Sequence, residues 1–493
     1  MSAQSNAKQQ VRNFVLIWIL ITLMMGACTF AAIYTAYGVV VVDDNDGQQV
    51  AAADTGGQSA AVNFSGATQS FPTRPPTREV TAIPTRVSQQ QNTVPQQSGA
   101  VAQAPGLATS TPLVINVPPT QVPTETPPPA TLLPVDDTEF QLGIQVQSIF
   151  DADMNLWMGE VEKLGMDWVK IQARWEVIEA TQGDFNWAAL DKGIEAAAER
   201  EIKVLISAVT APDWSREPGA NLSEHGPPAS NEDWTNFLTE LMNRYPGKIH
   251  AIEVWNEQNL DREWTSVRGL QTGPADYVEM LRVSYQTIKN IDPGIVVISG
   301  ALSPTGLDNR VNAWDDFNYM DAMIQAGMLN YTDCVGAHHN GINIGPSITW
   351  DAVPNDPTAA FRGPFDNPHH SWSFRSTLQG YDLRIKRAGG DQKLCVTEFG
   401  WASTEDLGVT RPGFEFASDN TLAEQEAWTI EAINNMIDWD IVHIATLWNL
   451  NYGPQAGWDP SNDNVAYSII GKDWNFRPVY SALQAWTDEN YNN

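Results

Sequence analysis

Cysteine is nearly absent: Cys28, Cys334 and Cys395 are the only three in 493 residues. That number cannot build the disulfide framework of a small secreted scaffold, and no two are spaced as a CxxC metal or redox motif. Histidine is almost as scarce, at seven, and no pair has the HExxH spacing, so no metal or other cofactor is called for. Basic residues are few as well. The 28 Lys and Arg stand against 59 Asp and Glu, a formal net charge of −31. A surface so acidic repels phosphate backbones and anionic headgroups, which argues against nucleic acid as a partner. Tryptophan, by contrast, is plentiful at 19. Some must fill core, yet exposed indole faces also suit sugar rings.

One long apolar run exists. Residues 14–42 are almost continuously hydrophobic, longer than the ~20 residues that span a bilayer as a helix. Lys8 and Arg12 precede the run, and Asp43, Asp44 and Asp46 follow it. The positive-inside tendency places a short cytoplasmic N-terminus at 1–13, a signal-anchor at 14–42 and the remainder outside the cell membrane. A cleaved signal peptide has a shorter apolar core, and lipidation at Cys28 would not need the run to continue beyond it. Residues 43–137 are rich in Thr, Pro, Gln, Ser, Ala and Gly, with tracts such as Thr126-Pro127-Pro128-Pro129. Such a composition buries too little apolar surface to offset its ordering entropy and reads as a disordered, semi-extended stalk.

From residue 138 to the C-terminus short apolar strands alternate with amphipathic helices. Strands are predicted at 141–147, 168–174, 203–209, 250–255, 295–300, 334–338, 394–398 and 442–448. Trp234, Phe237, Leu238, Leu241 and Tyr245 recur at helical spacing, and Thr421 with Glu424 forms a capping box ahead of another helix. Eight βα units in this length predict an α/β fold, a (β/α)8 TIM barrel. A doubly wound open sheet is the rival, but no GxGxxG or P-loop follows the first strand.

In such a barrel the reactive residues stand at the C-terminal strand ends. The fourth strand ends in Trp255-Asn256-Glu257 and the seventh in Thr397-Glu398-Phe399-Gly400. The two strands face each other across the mouth, so the carboxylates of Glu257 and Glu398 can flank one bond, as hydrolysis through an oxocarbenium-like transition state requires. Glu253-Val254-Trp255-Asn256-Glu257 resembles the WNEP-type signature of clan A glycoside hydrolases, with family 39 nearest in flavour and family 5 the runner-up. Val396-Thr397-Glu398-Phe399-Gly400-Trp401 resembles the strand-seven motif of the same clan. The resemblance implies a retaining O-glycosyl hydrolase acting on an extracellular carbohydrate. In it Glu257 would be the acid/base, Glu398 the nucleophile, and Asn256 a ligand of the sugar 2-hydroxyl. Gln258 stands where the signature has Pro, and His338-His339-Asn340 replaces a His-Pro-Tyr run. The Tyr that would steer the nucleophile is therefore missing there; either Tyr331 or Tyr452 replaces it, or nothing does.

His338, Arg174 at the end of the second strand, Trp448 at the end of the eighth and Trp401 are the expected substrate contacts. Trp214, Trp264 and Trp458 are possible outer subsites, while His339, His369 and His370 are expected at the surface. Strand alternation puts Lys170, Gln172 and Arg174 in the lumen, with Glu253, Trp255 and Glu257 on the lumen side of their strand. A buried Glu253 then needs Lys170 or Arg174 as partner. The same alternation turns Cys334 and Cys395 to different faces, unpaired. A non-catalytic glycan-binding barrel and a transglycosylase using the same pair are the competing functions.

Overall fold

Alternating short apolar and amphipathic segments fold as their periodicities dictate. The computed structural model describes residues 139–147, 153–355, 359 and 368–490. The membrane span expected at 14–42 and the stalk expected at 43–137 lie outside the described residues. Among the described residues no helix is long and apolar enough to cross a membrane. The strands are β1 (Gln141–Gln145), β2 (Trp168–Arg174), β3 (Lys203–Val209), β4 (Ala251–Val254), β5 (Val296–Ser299), β6 (Val335–Gly341), β7 (Leu394–Trp401) and β8 (Val442–Leu447). Each is followed by a long helix. These are α1 (Met154–Lys163), α2 (Ala188–Ala198), α3 (Asn231–Arg244), α4 (Gly273–Ile291), α5 (Asp316–Gln325), α6 (Phe374–Arg387), α7 (Leu422–Trp439) and α8 (Pro478–Asn490).

All eight strands are parallel in one sheet, ordered β5-β4-β3-β2-β1-β8-β7-β6. Its two edges, β5 and β6, come together without a continuous ladder. Two isolated parallel bridges join them, Ile298 to Cys334 and Leu302 to Ala337. The Gly336 N–H donates to Ser299 Oγ at 3.0 Å. Glycine is required at 336 because a Cβ there would collide with the Ser299 carbonyl. The sheet is thus a nearly closed (β/α)8 barrel.

Alternation along each strand sorts the side chains. Val169, Ile171 and Ala173 of β2 and Ile252 and Val254 of β4 face outward into the main apolar core under the helices. Helix α3 shows why these elements hold. Ser230 caps its N-terminus, and Trp234, Phe237, Leu238 and Leu241 are fully buried. Each such side chain contributes about 1.5–3 kcal/mol of transfer free energy. The Thr421–Glu424 capping box forms at α7 as expected, with both reciprocal hydrogen bonds. Inside the barrel, Trp168, Leu205, Ala251, Ile298, Cys334, Cys395 and Ile444 make an apolar floor. One layer higher the lumen turns polar, with Lys170, Ser207, Glu253, Thr397 and Thr446 all fully buried.

The cysteines correct the sequence expectation: Cys334 and Cys395 are disulfide-bonded, with Cα atoms 5.7 Å apart. Strand β7 carries a bulge. Val396 pairs with Ala337 and Glu398 with His338, so Thr397 has no partner across the ladder. Thr397 Oγ1 reaches Glu253 in the lumen, and the neighbouring Glu398 also faces the lumen, toward Lys170. Counting sides back from Glu398 is therefore wrong by one residue, and Cys395 points inward beside Cys334. The bond closes a loop with a sequence separation of 61 residues, for which chain-entropy arguments give about 4 kcal/mol. The double variant Cys334→Ala/Cys395→Ala is expected to lose roughly 2–4 kcal/mol of unfolding free energy. Denaturant titration checks this, and an unchanged midpoint would contradict the bond.

Candidate active site

The β4 strand ends one residue earlier than its apolar pattern suggests, and the backbone then makes an unusual turn. Trp255 and Glu257 both have positive φ, 78° and 46°. For non-glycine residues this costs on the order of 1–3 kcal/mol each and persists only where neighbours enforce it. Here they do. Tyr277 Oη donates to the Val254 carbonyl at 2.9 Å, and the Glu257 N–H donates to the Ala301 carbonyl at 2.8 Å. Gln258 Nε2 donates to the Gly300 carbonyl at 2.8 Å, and Asn259 Nδ2 to the carbonyls of Ser303 and Trp314 at 2.9 and 3.0 Å. Gln258, in place of the signature proline, is thus a fastener between the loops after β4 and β5.

The turn also corrects the expected side of Trp255. Its ring leaves the lumen and packs against Trp234 and Trp264 under the helices, with Nε1 donating to the Glu263 carbonyl at 2.9 Å. Glu257 alone is thrown into the mouth.

There it meets Glu398. Nδ1 of His338 lies 3.3 Å from Glu257 Oε1 and 3.8 Å from Glu398 Oε2. Those distances bound the separation of the two oxygens at about 7 Å, compatible with the ~5–5.5 Å carboxyl spacing of retaining glycosidases. Lys170 Nζ lies beneath, 3.2 Å from Glu398 Oε1 and 3.2 Å from Glu253 Oε2. Lys170, not Arg174, is therefore the expected lumen partner of Glu253. Thr397 Oγ1 donates to Glu253 Oε1 at 2.7 Å, and Asn340 Nδ2 donates to Glu398 Oε2 at 3.3 Å. Asn340 supplies the donor that the missing tyrosine would give. Tyr331 packs beside Tyr285 under the helices, away from the mouth, whereas Tyr452 packs on Trp448.

Three carboxylates thus face three cations. Burial raises the carboxyl pKa of Glu257, but the hydrogen bond from His338 and the charge of Arg262, 2.8 Å away, outweigh it and hold Glu257 at about 2. Burial opposes the charge of His338, yet Glu398 and the bond to Glu257 raise its pKa overall. Burial likewise opposes the charges of Lys170 and Glu253, and each is nonetheless stabilised by the other.

Of the other expected contacts, Asn256 is buried beside Glu257, and its Oδ1 has no hydrogen-bond partner among the described residues. Trp448 lies in a second apolar cluster at the mouth with Tyr452, Tyr467 and Trp372. Arg174 stands at the end of β2, paired with Glu176 and close enough to Tyr452 to act on its charge. Trp401 is a correction. It is fully buried against Phe374 and Trp428, with Nε1 donating to the Ile344 carbonyl at 2.9 Å, so it is core and not a sugar platform. Trp264 is core too, while Trp458 is exposed. His339 and His370, expected at the surface, are buried. Arg262 and Asn340 were missed. Asn340 shares the strand side of His338 and was open to the same alternation argument; Arg262 sits in an irregular loop that carries no periodic signal.

No curated protein matches the chain. Residues 162–299 match the family model described as Glycosyl hydrolase family 10. Among solved structures, the chain is similar to a family 39 glycoside hydrolase from the gut symbiont Bacteroides cellulosilyticus WH2, at 18% identity and a TM-score of 0.50. That likeness covers 72% of this chain and 65% of the other, so the chain spans just under two thirds of that protein. GH10 from Paenibacillus barcinonensis is similar at 16% identity, covering 70% of this chain and 94% of the other, with a TM-score of 0.45. Xylanase 10B from Thermotoga petrophila RKU-1, in complex with xylobiose, gives 15% identity, 71% and 94% coverage and a TM-score of 0.45.

Two outcomes test the charge arrangement. Lys170→Met leaves buried carboxylates uncompensated and is expected to cost about 3–5 kcal/mol of stability, with part recovered by adding Glu253→Gln; denaturant titration measures both. Arg262→Gln removes a cation from Glu257, so its carboxyl should titrate at higher pH than about 2, followed by carboxyl 13C NMR. An unchanged titration would show that Arg262 does not hold the charge. The family 10 match thus runs from the end of α1 through β5, and the chain shares the eight-stranded parallel barrel with the family 39 structure.

Proposed function

We propose that the chain is a retaining glycoside hydrolase that cleaves β-linked O-glycosidic bonds of an extracellular oligo- or polysaccharide, with Glu398 as nucleophile and Glu257 as acid/base. The observation that carries this reading is the shared neighbour of the two carboxylates: one imidazole nitrogen of His338 lies within 4 Å of both. A sugar ring seated over that nitrogen has one carboxylate at its anomeric carbon and the other at its glycosidic oxygen.

In the first step a Glu398 oxygen bonds to the anomeric carbon while the bond to the leaving oxygen breaks, and Glu257 gives that oxygen its proton. In the second, Glu257 takes a proton from water, the water oxygen bonds to the anomeric carbon, and the ester to Glu398 breaks. Lys170 and Asn340 fix both oxygens of Glu398, so the attacking lone pair needs no rearrangement. The unpartnered Oδ1 of Asn256 is free to accept the sugar 2-hydroxyl, and Trp448 offers an apolar surface under the ring. Glu257 is ionised in the free protein, so it must gain its proton before the first step. Loss of the His338 hydrogen bond or of the Arg262 charge when a sugar binds would favour the neutral carboxyl.

The reading includes location. The apolar run at 14–42, with Lys8 and Arg12 before it and acidic residues after it, supports a single-pass membrane anchor with the barrel outside. A structural disulfide in the lumen floor favours an oxidising compartment.

The test is turnover of aryl β-glycosides and a β-glycan panel by the detergent-solubilised full chain. Glu398→Gln is expected to abolish it for every substrate. Glu257→Gln is expected to slow substrates with poor leaving groups by ~10²–10⁴-fold; with dinitrophenyl glycosides, whose leaving group needs no proton, it should give a fast first-turnover burst followed by slow steady-state release, because the second step still lacks its base. NMR of the first-formed sugar should show the β anomer. An inert wild type across the panel, or an inverted product, rejects the proposal.

A further inference from the structure

A run of side chains at the barrel mouth alternates in charge from end to end. Arg262 joins two carboxylates: its Nη2 is 2.8 Å from Glu257 Oε2, and its Nε is 3.3 Å from Glu263 Oε1. The other oxygen of Glu263, Oε2, lies 3.5 Å from Nδ1 of His225. Nε2 of His225 lies 3.7 Å from Glu176 Oε1, and Glu176 is paired in turn with Arg174. With His225 protonated, the order Arg174, Glu176, His225, Glu263, Arg262, Glu257 sets cation against anion at every step. It ends on the acid/base.

Three strand ends supply these groups, and the backbone fixes their meeting. Arg174 closes β2 with Glu176 just beyond it, His225 lies in the loop after β3, and Arg262 and Glu263 lie in the loop after β4. The His225 N–H donates to the Arg262 carbonyl at 3.0 Å, and the His225 carbonyl accepts from the Thr265 N–H at 2.9 Å. Trp255 Nε1 holds the Glu263 carbonyl at 2.9 Å. The imidazole is therefore set against the segment that carries both Arg262 and Glu263. Glu257 and Glu263 are buried, so salt screens the charges between them poorly. Other charged groups stand about the same junction. Arg216 donates to the Glu224 and Thr265 carbonyls, Glu217 accepts from Ser266, and Asp261 feels the charge of Glu224.

We propose that His225 is a positioning residue: through Glu263 it governs how much of the Arg262 charge reaches the acid/base Glu257. Of the six groups in the run, His225 is the one whose ordinary pKa lies near neutrality. Burial opposes its charge, but Glu263 and Glu176 outweigh both burial and the repulsion of Arg174, and its pKa is raised. Protonated, His225 satisfies Glu263 and leaves Arg262 to Glu257, which favours the ionised carboxyl. As pH rises and His225 loses its proton, Glu263 draws on Arg262 instead. The cation then counts for less at Glu257, and that carboxyl holds a proton more readily. The inference rests on Glu257 being the acid/base, but the coupling can be read without turnover. A coupling that runs from His225 to Glu257 must run back with equal strength.

The test is an NMR titration of the His225 imidazole in the untagged full chain in detergent, with 13C-labelled histidine and His225→Gln to identify the signal. Glu263→Gln should lower the pKa of His225 by removing its anion. Glu257→Gln should also lower it, by about 0.4 pH units, because Arg262 then turns to Glu263 and leaves less of that carboxylate to His225. In an Arg262→Gln background the same Glu257→Gln change should leave His225 where it was. Should Arg262→Gln fail to fold, Glu263→Gln provides the second background, with the same expectation. A purely structural His225 gives no response to Glu257→Gln, and that result overturns the proposal. A response that persists at full size without Arg262 or without Glu263 is a direct field and overturns it too. Intact coupling in a protein inert on every glycoside would refute the proposed function alone. Turnover without coupling would refute this inference alone.

Discussion

A buried ammonium group governs the interior of this barrel. Lys170 is sealed from solvent and stands between Glu253 and Glu398, 3.2 Å from each. Removing three such charges from water is expensive, and the cost is offset only when each finds its counter-charge and further hydrogen bonds. The lumen is arranged around that demand. Thr397 and the Ala301 N–H turn toward Glu253, the Thr397 carbonyl accepts from Lys170, and Asn340 and His338 complete the shell of Glu398. Site rigidity and lumen charge balance are one arrangement seen from two sides.

The sequence displayed much of this to simple alternation. Strand β2 falls where Trp168–Arg174 alternates, its polar side faces inward, and Lys170 meets Glu253 as parity requires. The apolar pattern of α3 and the capping box of α7 were equally legible, because they depend on local spacing alone. The failures came where the backbone departs from regular geometry. Two neighbours, Thr397 and Glu398, face the same side at the β7 bulge, which moved Cys395 to the wrong face in any count from Glu398. At Trp255 a positive φ sends an indole into the helical layer that the period of two assigned to the lumen. Neither bulge nor turn leaves a mark in hydrophobic pattern.

Trp401 failed for another reason. A tryptophan beyond a reactive glutamate suits a sugar platform or a core plug equally well on composition. What decides is the space beside it: Gly341 on the adjacent strand lets the indole lie flat, and Phe374 and Trp428 enclose it from the helices. Arg262 could not be anticipated at all, since its contact with Glu257 depends on the path of an irregular loop. The charge of Glu257 is therefore held jointly by His338 and by Arg262, a residue outside the recognisable motif.

The floor of the lumen has a consequence for traffic. Trp168, Leu205, Ala251, Ile298, Ile444 and the Cys334–Cys395 cross-link pack the barrel beneath Lys170 with apolar atoms that solvent does not reach. Among the described residues, this floor seals the lumen below the glutamates. The lumen is thus closed at its foot, and a molecule that reached the glutamates would have to enter and leave by the strand-end rim.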